Sequence, residues 1–241
     1  MRASAADQRA LLEVQAHDTH LAKIAHERRT LPVLTTLKDL DDHRAHLDSE
    51  RIRLTARLGD EKRELTRVEG DVEQVRARSA RHQERLATGI PAREAQALQS
   101  EVEHLAGRAS VLEDEQLEHM ERVENTEDEL SKVTQALDDL GGRIADAEAL
   151  REAEFARLDA EAAGVTGKRS ERTAGLPEAL VALYERVRYQ TGGIGVVELF
   201  GERTEPSELN LPLSEIAAIR AAAEDQVMVS EEHGHIIIRP A

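Results

Sequence analysis

A chain of 241 residues with 33% charged residues, 2% aromatic residues and neither Cys nor Trp lacks the material for a thick globular core, because aromatic side chains carry much of a core's buried area. The missing cysteines exclude disulfides, thiolate metal sites and thiol catalysis together. A net charge of −16 opposes nonspecific attraction to nucleic acid or anionic lipid.

The opening stretch MRASAADQRALLEV carries no apolar run like that of a signal peptide. No segment approaches the ~18 apolar residues of a membrane span, so the expected location is the cytoplasm, with no membrane partner. Leu11, Val14, Leu21, Ile24, Arg28 and Leu31 recur at helical spacing and predict a short amphipathic helix ended by Pro32. Residues 37–88 then hold a heptad. One seam position runs through Leu40, Leu47, Leu54, Glu61, Val68, Val75 and His82, the other through Arg44, Arg51, Leu58, Leu65, Val72, Ser79 and Leu86. Such a run predicts a coiled coil rather than a globular helix.

Thr88-Gly89-Ile90-Pro91 interrupts it. Gly leaves a helix readily through positive φ, and Pro suits the first turn of the next one. A second heptad follows through Leu98, Leu105, Leu112, His119, Thr126, Val133, Leu140 and Ala147. Two long helices joined by a short turn pair antiparallel, and an arm of some fifty residues reaches about 80 Å. The polar seam residues Arg44, Arg51, Glu61, His82, Gln116 and His119 are expected to set register. Pairing symmetric about the turn puts His82 near Leu98 and Glu61 near His119. The first helix is expected to pack beside residues 150–163, Gly164 and Gly167 to close the second arm, and Lys168 to Gly175 to form a polar linker.

Beyond the linker the pattern changes. Leu176-Pro177 opens a helix through Leu180, Leu183, Tyr184 and Val187, and Gly192-Gly193-Ile194-Gly195 turns into a β-type run over 196–200. Ser214 to Ala223 predicts a short helix with Ser214 as N-cap. Val227 to Val229 and Ile236 to Ile238 flank Glu231-Glu232-His233-Gly234 as in a small hairpin. The fold class is therefore mainly α: a long antiparallel coiled-coil hairpin with a short N-terminal helix at its base (1–168, turn near 88–92), followed by a small α+β domain (169–241).

The runs LPEALVALYERVR, TGGIGVVEL and EIAAIRAAAEDQVMVSEEHGHIIIRP, with GIPAREAQALQSEVEHL at the hairpin turn, resemble the bacterial family of long coiled-coil hairpins capped by a C4-type zinc ribbon. In that family two C-x-x-C knuckles hold the metal. Here the knuckle positions fall on Thr204-Glu205-Pro206-Ser207 and Ser230-Glu231-Glu232-His233. Thr204, Ser207 and Ser230 offer only hydroxyls and His233 alone is a zinc donor, whereas structural zinc takes four N or S ligands. The resemblance thus implies a degenerate, ribbon-like domain without metal or cofactor. It would be held by contacts among Val196, Leu199, Ile216, Ile219, Val227, Val229 and Ile237 and by packing against Tyr184. It also implies the family's kind of role: binding protein partners and, in some members, RNA.

No G-x-S-x-G, P-loop or H-E-x-x-H pattern occurs, and the expectation is no enzymatic activity. His233 and His235 with Glu231 and Glu232 read as a polar turn rather than a metal site. The sharper feature is the cluster Arg76, Arg78, Arg81, Arg85 and Arg93 at the hairpin tip of an otherwise acidic chain. It is the candidate partner-docking site. The expected function is a non-enzymatic adaptor or scaffold that binds partner macromolecules through the ends of a rigid hairpin. The alternative is nucleic-acid binding, RNA or DNA, through the basic tip. A polymerase-channel factor of the transcript-cleavage type ranks lower, because those act through acidic tips. Monomer and dimer both remain open.

Overall fold

A computed structural model describes residues 1–240. Its chain runs through helices α1 (Ala5–Arg29), α2 (Pro32–Ala87), α3 (Ala92–Ala174) and α4 (Glu178–Gln190), strands β1 (Val196–Phe200) and β2 (Arg203–Glu205), helix α5 (Leu213–Ala221), and strands β3 (Met228–Val229) and β4 (Ile236–Ile238). It divides into a hairpin unit, Thr35–Glu148, and a mixed unit made of Met1–Leu34 and the chain from Ala149 onward. Among the described residues no helix is long and apolar enough to cross a membrane.

In the hairpin unit the heptads do what their spacing dictates. Leu40, Leu47, Leu54, Val68 and Val72 on α2 are buried, as are Leu105, Leu112, Leu140, Ile144 and Ala147 on α3. The turn falls where the Gly and Pro place it. Gly89 takes φ +77, the left-handed conformation that costs a residue without Cβ least. The Pro91 carbonyl starts α3 by accepting from the Glu94 and Ala95 amides, both at 3.0 Å. Register departs from mirror symmetry about that turn. Glu61 meets Thr126, one heptad beyond His119, while His119 lies near Glu64. Leu112 packs among Val68, Val72 and Val75, since a knob seats in the hole between residues rather than opposite one. The seam arginines Arg44 and Arg51 are exposed and converge on Asp48, at 3.9 and 3.2 Å.

In the mixed unit, Ser4 caps α1 by accepting the Asp7 amide at 3.0 Å. α1 lies against α3 as expected: Arg28 sits 4.3 Å from the centre of the Phe155 ring and Arg157 reaches Glu27 at 2.6 Å. The polar linker does not form. α3 continues through Gly164 and Gly167 to Ala174, because Val165, Arg169 and Thr173 form an inward stripe while the intervening residues are exposed. Helix-interior glycines cost about 1 kcal/mol each, less than such contacts return.

The strands form one sheet in the order β2-β1-β4-β3. β1 pairs parallel to β4, with Val196 opposite Ile236, and β3 closes antiparallel on β4. Both faces are covered, as the alternation of side chains allows. Val196, Ile236 and Ile238 join Leu11, Val14, Leu180 and Tyr184 on one side. Val197, Leu199 and Ile237 join Leu209, Leu211, Ile216 and Ile219 on the other. A strand absent from the sequence reading, β2, pairs Leu199 with Thr204. Two local expectations need correcting: α5 starts at Leu213 behind Pro212, not at a Ser214 cap, and Val229 is 39% exposed because it faces away from both cores.

Replacing Leu54, 2% exposed, by Asp should cost about 3 kcal/mol or more through an unpaired buried charge. The same change at Ile52, 65% exposed, should stay within about 0.5 kcal/mol. Chemical denaturation of the two variants checks this, and equal shifts would contradict the seam.

Candidate functional site

The tip arginines lie on the last turns of α2 and the first turn of α3, so the turn brings them beside α3 glutamates. Arg76 pairs with Glu113 at 2.9 Å and Arg78 with Glu101 at 2.6 Å, and Arg85 pairs with Glu94. Arg78 also reaches the His82 ring at 3.4 Å. Among the described residues Arg81 and Arg93 form no ion pair, and both are exposed. The patch legible in the sequence is thus largely a cross-arm ladder, with two cations outside it. The ladder continues away from the turn through Lys62–Glu127 at 2.6 Å and Arg57–Glu129 at 3.6 Å. Each exposed rung contributes about 0–1 kcal/mol, but together the rungs discriminate against a slipped register.

The knuckle positions hold hydrogen-bonded turns. The Thr204 hydroxyl donates to the Ser207 carbonyl at 2.7 Å and accepts the Leu209 amide at 2.8 Å. Ser230 Oγ accepts the His233 amide at 3.1 Å. Thr204 and Ser230 are each 2% exposed, buried and occupied with their own turns. The His233 ring lies 3.2 Å from the Asn210 carbonyl, tying the second turn to the segment after the first. This donor set does not fit a tetrahedral zinc. Among the described residues no group of three or more His, Asp or Glu side chains could hold a metal ion.

Sequence reasoning missed a third constellation, in the mixed unit. Tyr184, fully buried, donates its hydroxyl to Asp18 Oδ2 at 2.7 Å and lies 3.2 Å from Gln15 Oε1. Arg169 grips Asp18 through Nε at 2.6 Å and Nη2 at 3.0 Å, and also pairs with Glu185. Gln15 Oε1 accepts the Gly195 amide at 2.6 Å. Burial, with the Asp18 charge beside it, pushes the Tyr184 phenol above its ordinary value. The bond to Asp18 outweighs desolvation and raises Arg169. Burial pulls the Glu185 carboxyl upward, but Arg169 and Arg188 together hold it below the usual carboxylate range. Every shift favours the paired protonation state, which is the behaviour of a structural clamp. Its members are scattered along the sequence, so no local signal marks them.

Residues 14–192 match the CT398-like coiled coil hairpin domain family. The chain belongs to that family. Across the whole length it is 31% identical to the uncharacterized protein Rv2229c of Mycobacterium tuberculosis, covering 99% of this chain and 98% of that one. A Mycobacterium smegmatis structure superposes with a TM-score of 0.90 at 30% identity, covering 100% of both chains. CT398 of Chlamydia trachomatis superposes with a TM-score of 0.72 at 14% identity, covering 97% of this chain and 98% of that one. At that identity the likeness to CT398 speaks for the fold alone. The matched family region contains the tip arginines and the Asp18–Arg169–Tyr184 clamp, while the hydroxyl-closed turns lie beyond it.

Two outcomes test the clamp and the second turn. Asp18→Ala should cost about 3 kcal/mol by leaving Arg169 with Glu185 alone and depriving the buried Tyr184 hydroxyl of its acceptor, and Tyr184→Phe about 1 kcal/mol. Their double variant should cost less than the two together, as read by denaturant unfolding. His235 has a buried, unpartnered Nδ1, and burial lowers its pKa, outweighing the opposing influence of the His233 backbone. The unfolded chain therefore takes up this proton near pH ~6.5 before the folded one does. Stability falls as pH drops through and below that value, and His235→Gln should flatten part of that slope in melting curves. Parallel pH profiles for the two proteins would exclude the effect.

Proposed function

We propose that this chain is a non-enzymatic adaptor whose cross-braced hairpin presents its tip to a protein partner. The observation that carries the reading is the fate of the tip arginines. Arg76, Arg78 and Arg85 are answered by Glu113, Glu101 and Glu94, leaving Arg81 and Arg93 as exposed cations on a surface of mixed charge. A mixed-charge helical surface suits a protein partner, where complementary charges fix register and orientation. Nucleic-acid affinity rests instead on many uncompensated cations releasing counterions, and the ladder withdraws most of them. On the same reading the C-terminal unit is a ribbon-like module whose hydroxyl-closed turns stand in place of metal knuckles, and the protein works in the cytoplasm.

The test is affinity capture with the full-length chain, comparing the natural sequence with the double variant Arg81→Glu, Arg93→Glu. The substitutions should release a defined partner while helicity by circular dichroism stays unchanged. Nuclease treatment should leave the capture intact. Partner retention by the double variant would defeat the tip reading. Loss on nuclease treatment, with binding that falls steeply with salt, would replace it with the nucleic-acid one.

A further inference from the structure

Near the root of the hairpin, α3 carries two adjacent glycines that nothing around them requires. Gly141 and Gly142 lie deep inside α3, Ala92–Ala174, and neither takes positive φ. A Cβ added at either would meet nothing within 4 Å, so no close approach excludes alanine. Glycine weakens a helix interior more than any residue except proline, because its backbone has the most freedom to lose. Such pairs are among the few sequence features at which long helices kink.

The facing stretch of α2 is weak at the same level. Leu40, Leu47 and Leu54 are buried in the seam, but the alternate seam positions between them hold Arg44 and Arg51, both exposed. A helix that offers an apolar knob only once per heptad makes half of a coiled-coil contact. Both arginines turn back to Asp48 of their own helix, at 3.9 and 3.2 Å. A groove of about 590 Å³ opens there, with Arg44, Asp48 and Arg51 of α2 on one side and Asp138, Gly141 and Glu148 of α3 on the other. Asp138 and Glu148 are exposed and, among the described residues, form no ion pair. The cross-arm ladder stops short of this level: among the described residues of the hairpin unit, its rung nearest the root is Arg57–Glu129.

We propose that Gly141–Gly142 is a hinge in the arm and that Arg44 and Arg51 latch its bent state. In the straight state the two arginines share Asp48. Bending α3 towards the groove carries Asp138 towards Arg51 and Glu148 towards Arg44, so each guanidinium exchanges a shared carboxylate for one of its own. Exposed pairs of this kind are individually weak, which suits an element that must open as well as close. Roughly fifty residues of helix lie beyond the joint at about 1.5 Å each, so a small angle at the root moves the tip far. The joint belongs to the arm itself and holds whatever the tip docks.

The chain has no Cys, so spin labels can be placed freely on the full-length protein. Asp42→Cys on α2 and Asn125→Cys on α3, both exposed, bracket the joint within the hairpin unit. Double electron–electron resonance should give a broad or two-component distance distribution. Gly141→Ala with Gly142→Ala should collapse it to one narrow component and slow amide exchange over residues 141–146 at least about tenfold. Gly59→Ala, at an interior glycine of α2 in the same stretch, should slow exchange locally but leave the distribution unchanged. Arg44→Gln with Arg51→Gln should deplete the bent component, as should salt near 1 M, where the Debye length is about 3 Å. The hinge is overturned if the labelled natural sequence gives a single narrow distribution, if the alanine pair leaves its width unchanged, or if Gly59→Ala narrows it equally. A distribution that ignores both the arginine substitutions and the salt overturns the latch.

Discussion

The contact between the Tyr184 hydroxyl and Asp18, 2.7 Å apart in a buried setting, obliges distant stretches of chain to assemble together. Asp18 is charged and its side chain is only 5% exposed, so it must have a cation. Arg169 of α3 provides it, which fixes α3 against α1. Tyr184 brings α4 to the same point, and Gln15 carries the network to the Gly195 amide. Gly195 shows how close the packing is: a Cβ there would lie 2.8 Å from the Tyr184 ring. Its carbonyl accepts the Ile236 amide at 3.0 Å, so the start of β4 is positioned by the same cluster. A chain with so few aromatic residues concentrates its specificity in this one polar knot, wrapped by Leu11, Val14, Leu180 and Val196.

The hairpin unit uses the opposite strategy. Its seam is narrow and mostly aliphatic, and its specificity is spread along the outside as a ladder of weak ion pairs. The seam has one poor layer. Glu61 Oε2, Thr126 Oγ1 and His119 Nδ1 are buried without good hydrogen-bond partners, although Arg57 satisfies Glu61 Oε1 at 2.8 Å. Polar atoms in a seam cost stability while excluding registers in which they would be worse placed. Here the penalty lies between Arg57–Glu129 and Arg76–Glu113, where rungs on both sides hold the helices in phase.

The heptads, the turn at Gly89, the change of texture after Leu176 and the contact of α1 with α3 were all legible, because each rests on short-range periodicity or on one residue's backbone preference. Legibility failed where distant residues decide. Lys168 to Gly175 reads as linker by composition, yet Arg169 within it is the partner of Asp18, and a helix with one useful face looks polar in sequence. β2 is three residues with two exposed ends, too short for alternation to register. The tip arginines are visible as a cluster in the sequence, but their electrostatics depend on glutamates that only the fold brings across.

The first residues of the chain are built into its last strands. The Ala3 amide donates to the Asp225 carbonyl at 2.9 Å, the Val227 amide to the Met1 carbonyl at 3.2 Å, and Arg2 bridges to Gln226. Gln15 waits for an amide 180 residues further on. At ribosomal rates of roughly 5–20 residues per second, that interval lasts on the order of 10–40 s. Throughout it, the apolar face of α1 has emerged but the strands that cover it have not. The hairpin helices, whose contacts are local around their turn, are complete long before. Synthesis therefore delivers a finished middle between two unfinished ends, and the amino-terminal helix is the segment that depends longest on shelter from other hydrophobic surfaces.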